Sequence, residues 1–198
     1  MDLHGKRIIL ASGSPRRREL LSGLDIDFEV DTRNNFEESF GADIPYDSVP
    51  RLMAQGKSHG FHRPLSPDEI LITADTMVIL PPRDGRPGEI LGKPRDREDA
   101  IRMLHDLSGG KHHVTTAVTL RDCRKEETFD VTTEVWFKQL TPEEITYYVD
   151  TYKPFDKAGA YAIQEWIGHV GITRIEGSYF NVVGFPVQRV YQALLQFL

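Results

Sequence analysis

The stretch Arg7-Ile8-Ile9-Leu10-Ala11-Ser12-Gly13-Ser14-Pro15-Arg16-Arg17-Arg18-Glu19-Leu20-Leu21 decides the fold class. Its apolar opening is too short for a signal peptide, so residues 7 to 11 read as a first buried strand. Ser14 followed by Pro15 starts a helix: a hydroxyl can take up an orphan N–H, and proline at the first position loses no hydrogen bond. Leu20, Leu21 and Leu24 supply that helix with a buried face. Strand, turn and helix in immediate succession announce an α/β chain. The turn itself is unusual. A first helical turn favours Asp or Glu, because the helix dipole is positive there. Three arginines stand in it here. Either this is a solvated basic turn that costs stability, or an anion shares it, since main-chain N–H groups at a strand-to-helix turn readily bind phosphate. Gly13 allows close approach, and Ser12 and Ser14 add hydroxyls. No Lys-Ser/Thr pair follows, so the turn is not a P-loop.

Outward from this start, a strand near Phe28 to Val30 precedes a polar loop through Asn34, Asn35, Glu37 and Glu38. Asp47 or Ser48 can cap a helix carrying Leu52, Met53 and Lys57. Glu69 to Ala74 reads as a strand ending at Asp75-Thr76, with Met77 to Leu80 continuing apolar and Pro81 to Gly88 a turn-rich connection. Asp96 can cap a helix with Ile101, Met103, Leu104 and Leu107, stopped by Gly109-Gly110. His112 to Leu120 and Thr128 to Phe137 predict a hairpin. Thr141-Pro142-Glu143-Glu144 contains a capping box. After a Gly-punctuated segment from Phe155 to Gly184, Pro186 opens a last helix with Val187, Val190, Tyr191, Leu194 and Leu195 on one face. A βα start together with a hairpin predicts a mixed sheet rather than a fully parallel doubly wound one.

Bulk properties narrow the function classes. With 198 residues, 39% hydrophobic and 27% charged, the chain can bury a substantial core. A net charge of -6 argues against a sequence-independent nucleic-acid binder, whose affinity comes from neutralising phosphates. No run approaches the roughly 18 apolar residues that suggest a membrane helix. The single cysteine, Cys123, excludes an intrachain disulfide and reads as a reduced cytosolic thiol. His112 and His113 are adjacent on a strand, so their rings face opposite sides and do not read as a metal pair.

Several polar residues stand out against this background. Asp75-Thr76, where a strand meets a loop, could bind Mg²⁺, take a proton from an attacking water, or simply cap a turn. Glu37-Glu38 could be solvated, or could supply a second carboxylate for a cation. Lys57 on its helix and Lys93 in Lys93-Pro94-Arg95-Asp96 are ordinary surface residues taken alone, yet positioned lysines are a usual means of stabilising a phosphoryl transition state. Asp156-Lys157-Ala158-Gly159-Ala160-Tyr161-Ala162-Ile163-Gln164 suits tight packing. The Gln164 amide can both donate and accept, as reading a pyrimidine edge requires, yet taken alone the segment reads as a core turn.

Taken in order, these segments resemble the Maf family of nucleotide pyrophosphatases. The matching stretches are residues 9–17, Ala74-Asp75-Thr76, Gly92-Lys93-Pro94-Arg95-Asp96, Leu107-Ser108-Gly109, residues 156–164, Gly177-Ser178-Tyr179 and Val183-Gly184-Phe185-Pro186. They span nearly the whole chain. The resemblance implies one domain over residues 1–198, built as two lobes around a deep cleft, with a central mixed β-sheet flanked by helices as in inosine triphosphate pyrophosphatases. It implies hydrolysis of dTTP or UTP between the α and β phosphates, dependent on a divalent cation such as Mg²⁺ or Mn²⁺. Asp75 matches the family's proton acceptor. Arg16, Thr76 and Gln164 match three positions tied to substrate choice, and all three agree with the dTTP/UTP branch. Ser12, Arg17, Lys57 and Lys93 match phosphate-contacting positions, and Glu38 a metal-linked one. Modified pyrimidine nucleotides are further expected substrates. A cytoplasmic location and a homodimer fit the resemblance, and membrane or nucleic-acid partners do not. The alternative it leaves is a nucleotide-sensing regulator of septum formation with little turnover. Four positions depart from the family pattern: Thr73 stands for a common Gly, Gly56 for a common Glu, and Glu165-Trp166 for smaller residues.

Overall fold

A computed structural model describes residues 3–41, 44–82, 85 and 87–198. Strand β1 (Arg7–Leu10) leads through the Ser14 cap into helix α1 (Pro15–Ser22), with the Ser14 hydroxyl accepting from the Arg17 N–H. Then come β2 (Phe28–Val30), α2 (Val49–His59), β3 (Glu69–Leu80), β4 (Glu89–Leu91), α3 (Arg97–Leu107) and the pair β5 (Lys111–Arg121) and β6 (Glu126–Phe137). Helix α4 (Pro142–Tyr152), a 3-10 turn (Ala158–Ala160), α5 (Trp166–Gly171), β7 (Ile172–Glu176), α6 (Tyr179–Val183) and α7 (Val187–Leu194) complete the order. The sheet runs β2-β1-β3-β5-β6-β7, with β4 also on β3. Parallel pairs set Ile8 against Phe28 and Ile70. Antiparallel pairs set Ile79 against Ile90 and Val135 against Ile175. The sheet is therefore mixed, as the βα start and the hairpin predict. Cross-strand hydroxyl pairs Thr119–Thr128 and Thr115–Thr132, each 2.9 Å, hold the hairpin together, and Cys123 is exposed in its turn.

The chain forms two compact units. The first gathers residues 1–75, 116–131 and 184–198, and the second residues 76–115 and 132–183. Each has its own apolar core. Ile8, Leu10, Leu21, Ile70, Ile72, Val118, Phe129, Phe185, Val190 and Leu194 pack in the first. Leu91, Met103, Leu104, Phe137, Ile145, Tyr148 and Ile167 pack in the second.

Three expectations need correcting. Strand β3 does not end at Asp75-Thr76 but runs on to Leu80, because Val78, Ile79 and Leu80 pair with β4. A strand long enough to gain that partner keeps its polar pair in its middle. Ser48 stands at the start of α2 without capping it; its hydroxyl donates to Asp47 at 3.3 Å. Helix α7 buries Val190, Ala193 and Leu194, with Phe197 beyond its end also inside, while Tyr191 and Leu195 are exposed. The Gly-punctuated segment 155–184, in which the sequence marks no elements, holds α5, β7 and α6, each too short to leave a periodic signal. Of the predicted connection Pro81–Gly88, Arg83, Asp84 and Arg86 lie outside the described residues. Among the described residues, no helix is long and apolar enough to cross a membrane.

Candidate functional site

In the first unit, five of the singled-out residues converge. Ser12 is buried, and its Oγ accepts from the Ser14 N–H at 3.3 Å and from Arg17 Nη1 at 3.2 Å. Arg17 also donates from Nη1 to the Ala74 carbonyl at 2.9 Å and from Nε to the Gly184 carbonyl at 3.0 Å. Its guanidinium thus ties the helix start to β3 immediately before Asp75. Burial holds the Arg17 pKa below its ordinary value, the neighbouring Arg16 charge adds to this, and the Asp75 and Glu38 carboxylates oppose it. Arg16, next along α1, is half-buried.

Lys57 stands in the last turn of α2. Its Nζ lies 2.7 Å from Asp75 Oδ1 and 3.2 Å from Glu38 Oε2. Two local devices aim these groups. The Thr73 hydroxyl, two residues before Asp75 and on the same strand face, donates to the Ala54 carbonyl at 2.7 Å, fixing β3 to α2 one turn before Lys57. On the other side, Asn34 Nδ2 donates to the Lys57 carbonyl at 2.6 Å and Asn34 Oδ1 accepts from the Phe36 N–H at 2.7 Å. The Phe36 ring fills the space beside Gly56, where an added Cβ would lie 2.3 Å from it. The loop bearing Glu38 is thereby stitched to the helix bearing Lys57. Sequence reading missed Asn34 and Phe36. The available signal was Gly56, a costly residue inside a helix that needs a packing reason.

The second unit holds Thr76, Lys93 and Gln164. Thr76 is half-buried on β3, sharing a strand face with Val78. Gly159, at φ +67°, sits so close over Val78 that an added Cβ would lie 2.9 Å from its side chain. The Gly159 N–H donates to the Gly92 carbonyl at 3.0 Å, so the segment ending in Gln164 and the loop bearing Lys93 are joined. That loop is braced by Asp99, which accepts from the Arg95 N–H at 3.1 Å and from Arg102 at 2.9 Å. Lys93 and Gln164 are both exposed. His112 and His113 do face apart: His112 Nε2 meets the Tyr161 hydroxyl at 2.7 Å, and His113 meets Glu134 at 3.2 Å.

Residues 7–197 match the family described as Maf-like protein. The chain belongs to the Maf family. Among the relatives of this Maf chain, the dTTP/UTP pyrophosphatase of Parabacteroides distasonis is 48% identical over 196 residues, covering 99% of this chain and 98% of its own. The dTTP/UTP pyrophosphatase of Phocaeicola vulgatus is 47% identical, covering 98% and 97%. That of Flavobacterium psychrophilum is also 47% identical, covering 96% and 93%. The solved structure of the Staphylococcus aureus Ham1 protein superposes with a TM-score of 0.52 at 15% identity, covering 97% of this chain and 99% of that one. At that identity the likeness concerns the fold alone: a mixed sheet flanked by helices.

Proposed function

We propose that this Maf chain is a nucleoside triphosphate pyrophosphatase that hydrolyses dTTP and UTP, and modified pyrimidine nucleotides related to them, between the α and β phosphates. The observation that carries the reading is the convergence of Lys57, Asp75 and Glu38 beside the Ser12–Arg17 turn. The names of relatives alike over nearly their whole length support it. In the reaction, a water oxygen bonds to the α-phosphorus, the bond to the bridging oxygen breaks, and pyrophosphate leaves with the electron pair. The Asp75 carboxylate accepts the proton the water loses. The Lys57 ammonium, fixed by Asp75, and the exposed Lys93 offset phosphate charge. The N–H groups of the first turn, with Ser12, Arg16 and Arg17, offer donors for the phosphate chain. Thr76 and Gln164, with Arg16, read the base and sugar.

The residues fit a divalent cation. Asp75 and Glu38 already converge on one positive charge, the Lys57 ammonium, and carboxylate oxygens are the donors Mg²⁺ and Mn²⁺ take. Glu38 and Asp75 would hold the ion, which when bound supplies neutralisation of the triphosphate charge. In this reading the enzyme works in the cytoplasm, and a homodimer is its assembly, to be checked by sedimentation.

The test is pyrophosphate release from dTTP, UTP, CTP, dATP and GTP with Mg²⁺ or Mn²⁺ and with chelator. Metal-dependent turnover of dTTP and UTP is expected. Tight nucleotide binding without turnover would replace the enzyme by a nucleotide sensor. Asp75→Asn is expected to abolish most of the turnover, and near-wild-type rates in that variant would overturn the role given to Asp75.

A further inference from the structure

Glu165 follows Gln164 and occupies the N-cap position of α5. Glutamate is a poor choice there, since Ser, Thr, Asp and Asn are the residues whose side chains reach the first helical N–H groups. The Glu165 side chain indeed makes no capping hydrogen bond. It turns instead to two partners. One carboxylate oxygen accepts from the Tyr148 hydroxyl on α4, and the other lies 3.4 Å from Lys157 Nζ. Lys157 in turn holds Asp156 at 2.7 Å. The Tyr148 hydroxyl also accepts from the Ala162 N–H at 3.2 Å. One carboxylate therefore closes the segment from Lys157 to Glu165 at both ends, and one hydroxyl pins its middle.

Tyr148 is fully buried, and burial followed by the carboxylate beside it pushes its pKa up, so it stays a donor. The helix beyond is equally constrained: a Cβ on Gly168 would lie 1.8 Å from the Ile163 carbonyl oxygen, which packs α5 backbone-to-backbone on the residue preceding Gln164. Gln164 is exposed at the tip of a segment with no slack on either side. A local rule broken at Glu165 without local gain is offset by this closure.

We infer that Glu165, acting with Tyr148, is a positioning residue that sets the amide of Gln164 for recognition of the pyrimidine base. The inference rests on the reading of Gln164 given above. A preset amide lowers the ordering cost of each nucleotide bound and rejects bases whose edge does not match it.

The experiment is a double-mutant cycle on steady-state pyrophosphate release, with melting temperatures measured alongside. Glu165→Ala is expected to raise KM for dTTP and UTP about tenfold with kcat within about twofold, and to narrow the preference over CTP. Glu165→Gln, which keeps an acceptor for Tyr148, restores most of that loss. Tyr148→Phe shifts KM in the same direction and serves if Glu165→Ala does not fold. In a Gln164→Ala background, Glu165→Ala adds less than about twofold, because the residue it positions is gone. Full additivity in that background, or an unchanged KM in Glu165→Ala while Gln164→Ala is impaired, overturns the inference. Two further outcomes also overturn it and are told apart by the same data. No turnover by the wild type removes the proposed activity itself. A Gln164→Ala variant with wild-type KM removes only the role of Gln164.

Discussion

Lys57 carries the sharpest expectation for a single side chain. Its ammonium separates Asp75 from Glu38, 2.7 Å to one and 3.2 Å to the other. Lys57→Ala leaves two carboxylates facing the phosphates of the nucleotide, and kcat for dTTP is expected to fall by about 10²–10³ in a pyrophosphate-release assay. His112 supports a second expectation, on stability. Burial pushes its pKa down to about 3 from an ordinary 6.5. Between those values the unfolded chain binds a proton that the folded chain refuses, so stability is full above about pH 6.5 and falls as the pH drops through that window. Urea unfolding at pH 6.5 and pH 5 is expected to differ by about 2 kcal/mol from this residue alone, and His112→Gln to flatten the dependence by that amount. The sequence made Asp75, Lys57 and Ser12 visible as polar residues beside apolar runs. It left Asn34 and Phe36 dark, and marked Glu165 only as a departure from the family pattern. Their partners, Lys57, Gly56 and Tyr148, lie many residues away, and local spacing carries no trace of such pairings.

Among the elements, the start of α4 was legible. Thr141 caps it, Pro142 follows, and Glu144 returns the hydrogen bond to the Thr141 N–H at 2.9 Å. Thr141→Ala is expected to cost about 1 kcal/mol in urea unfolding. Strand β3 was legible only to Ala74, because Asp75-Thr76 interrupts an apolar run and a polar pair reads as an ending. What overrides that local signal is the ladder with β4, itself a strand of 3 residues between turns and invisible by periodicity. Helix α5 was illegible for the same reason, at 6 residues. Gly168 within it is nonetheless obligatory. Gly168→Ala sets a methyl against a main-chain oxygen that cannot swing aside, and a loss of about 3 kcal/mol, read as a lowered melting temperature, is expected.

For the molecule as a whole, chain order and spatial order diverge. The first unit is assembled from three separated stretches, and Val118, Phe129, Phe185, Val190 and Leu194 reach its core from beyond residue 75. A fragment ending at Asp75 keeps the phosphate-type turn and Lys57 but lacks those side chains. It is expected to show no cooperative urea transition by circular dichroism, and a cooperative one would mean that residues 1–75 carry a sufficient core alone. The mixed sheet was readable from the βα start and the hairpin. Where the chain divides into these two units was not, since no linker or shift of composition marks it.

The same interleaving bears on how the protein is made. Phe185, Val190, Ala193, Leu194 and Phe197 complete the core that Ile8 and Leu10 begin, so the earliest strand waits for the final helix. At about 5–20 residues per second, a ribosome takes about 10–40 s to traverse the 198 residues. Until Phe185 and the residues after it have been made, the core shared by Ile8, Ile70, Val118 and Phe129 lacks the side chains that complete it, and that part of its apolar surface stands open on the nascent chain.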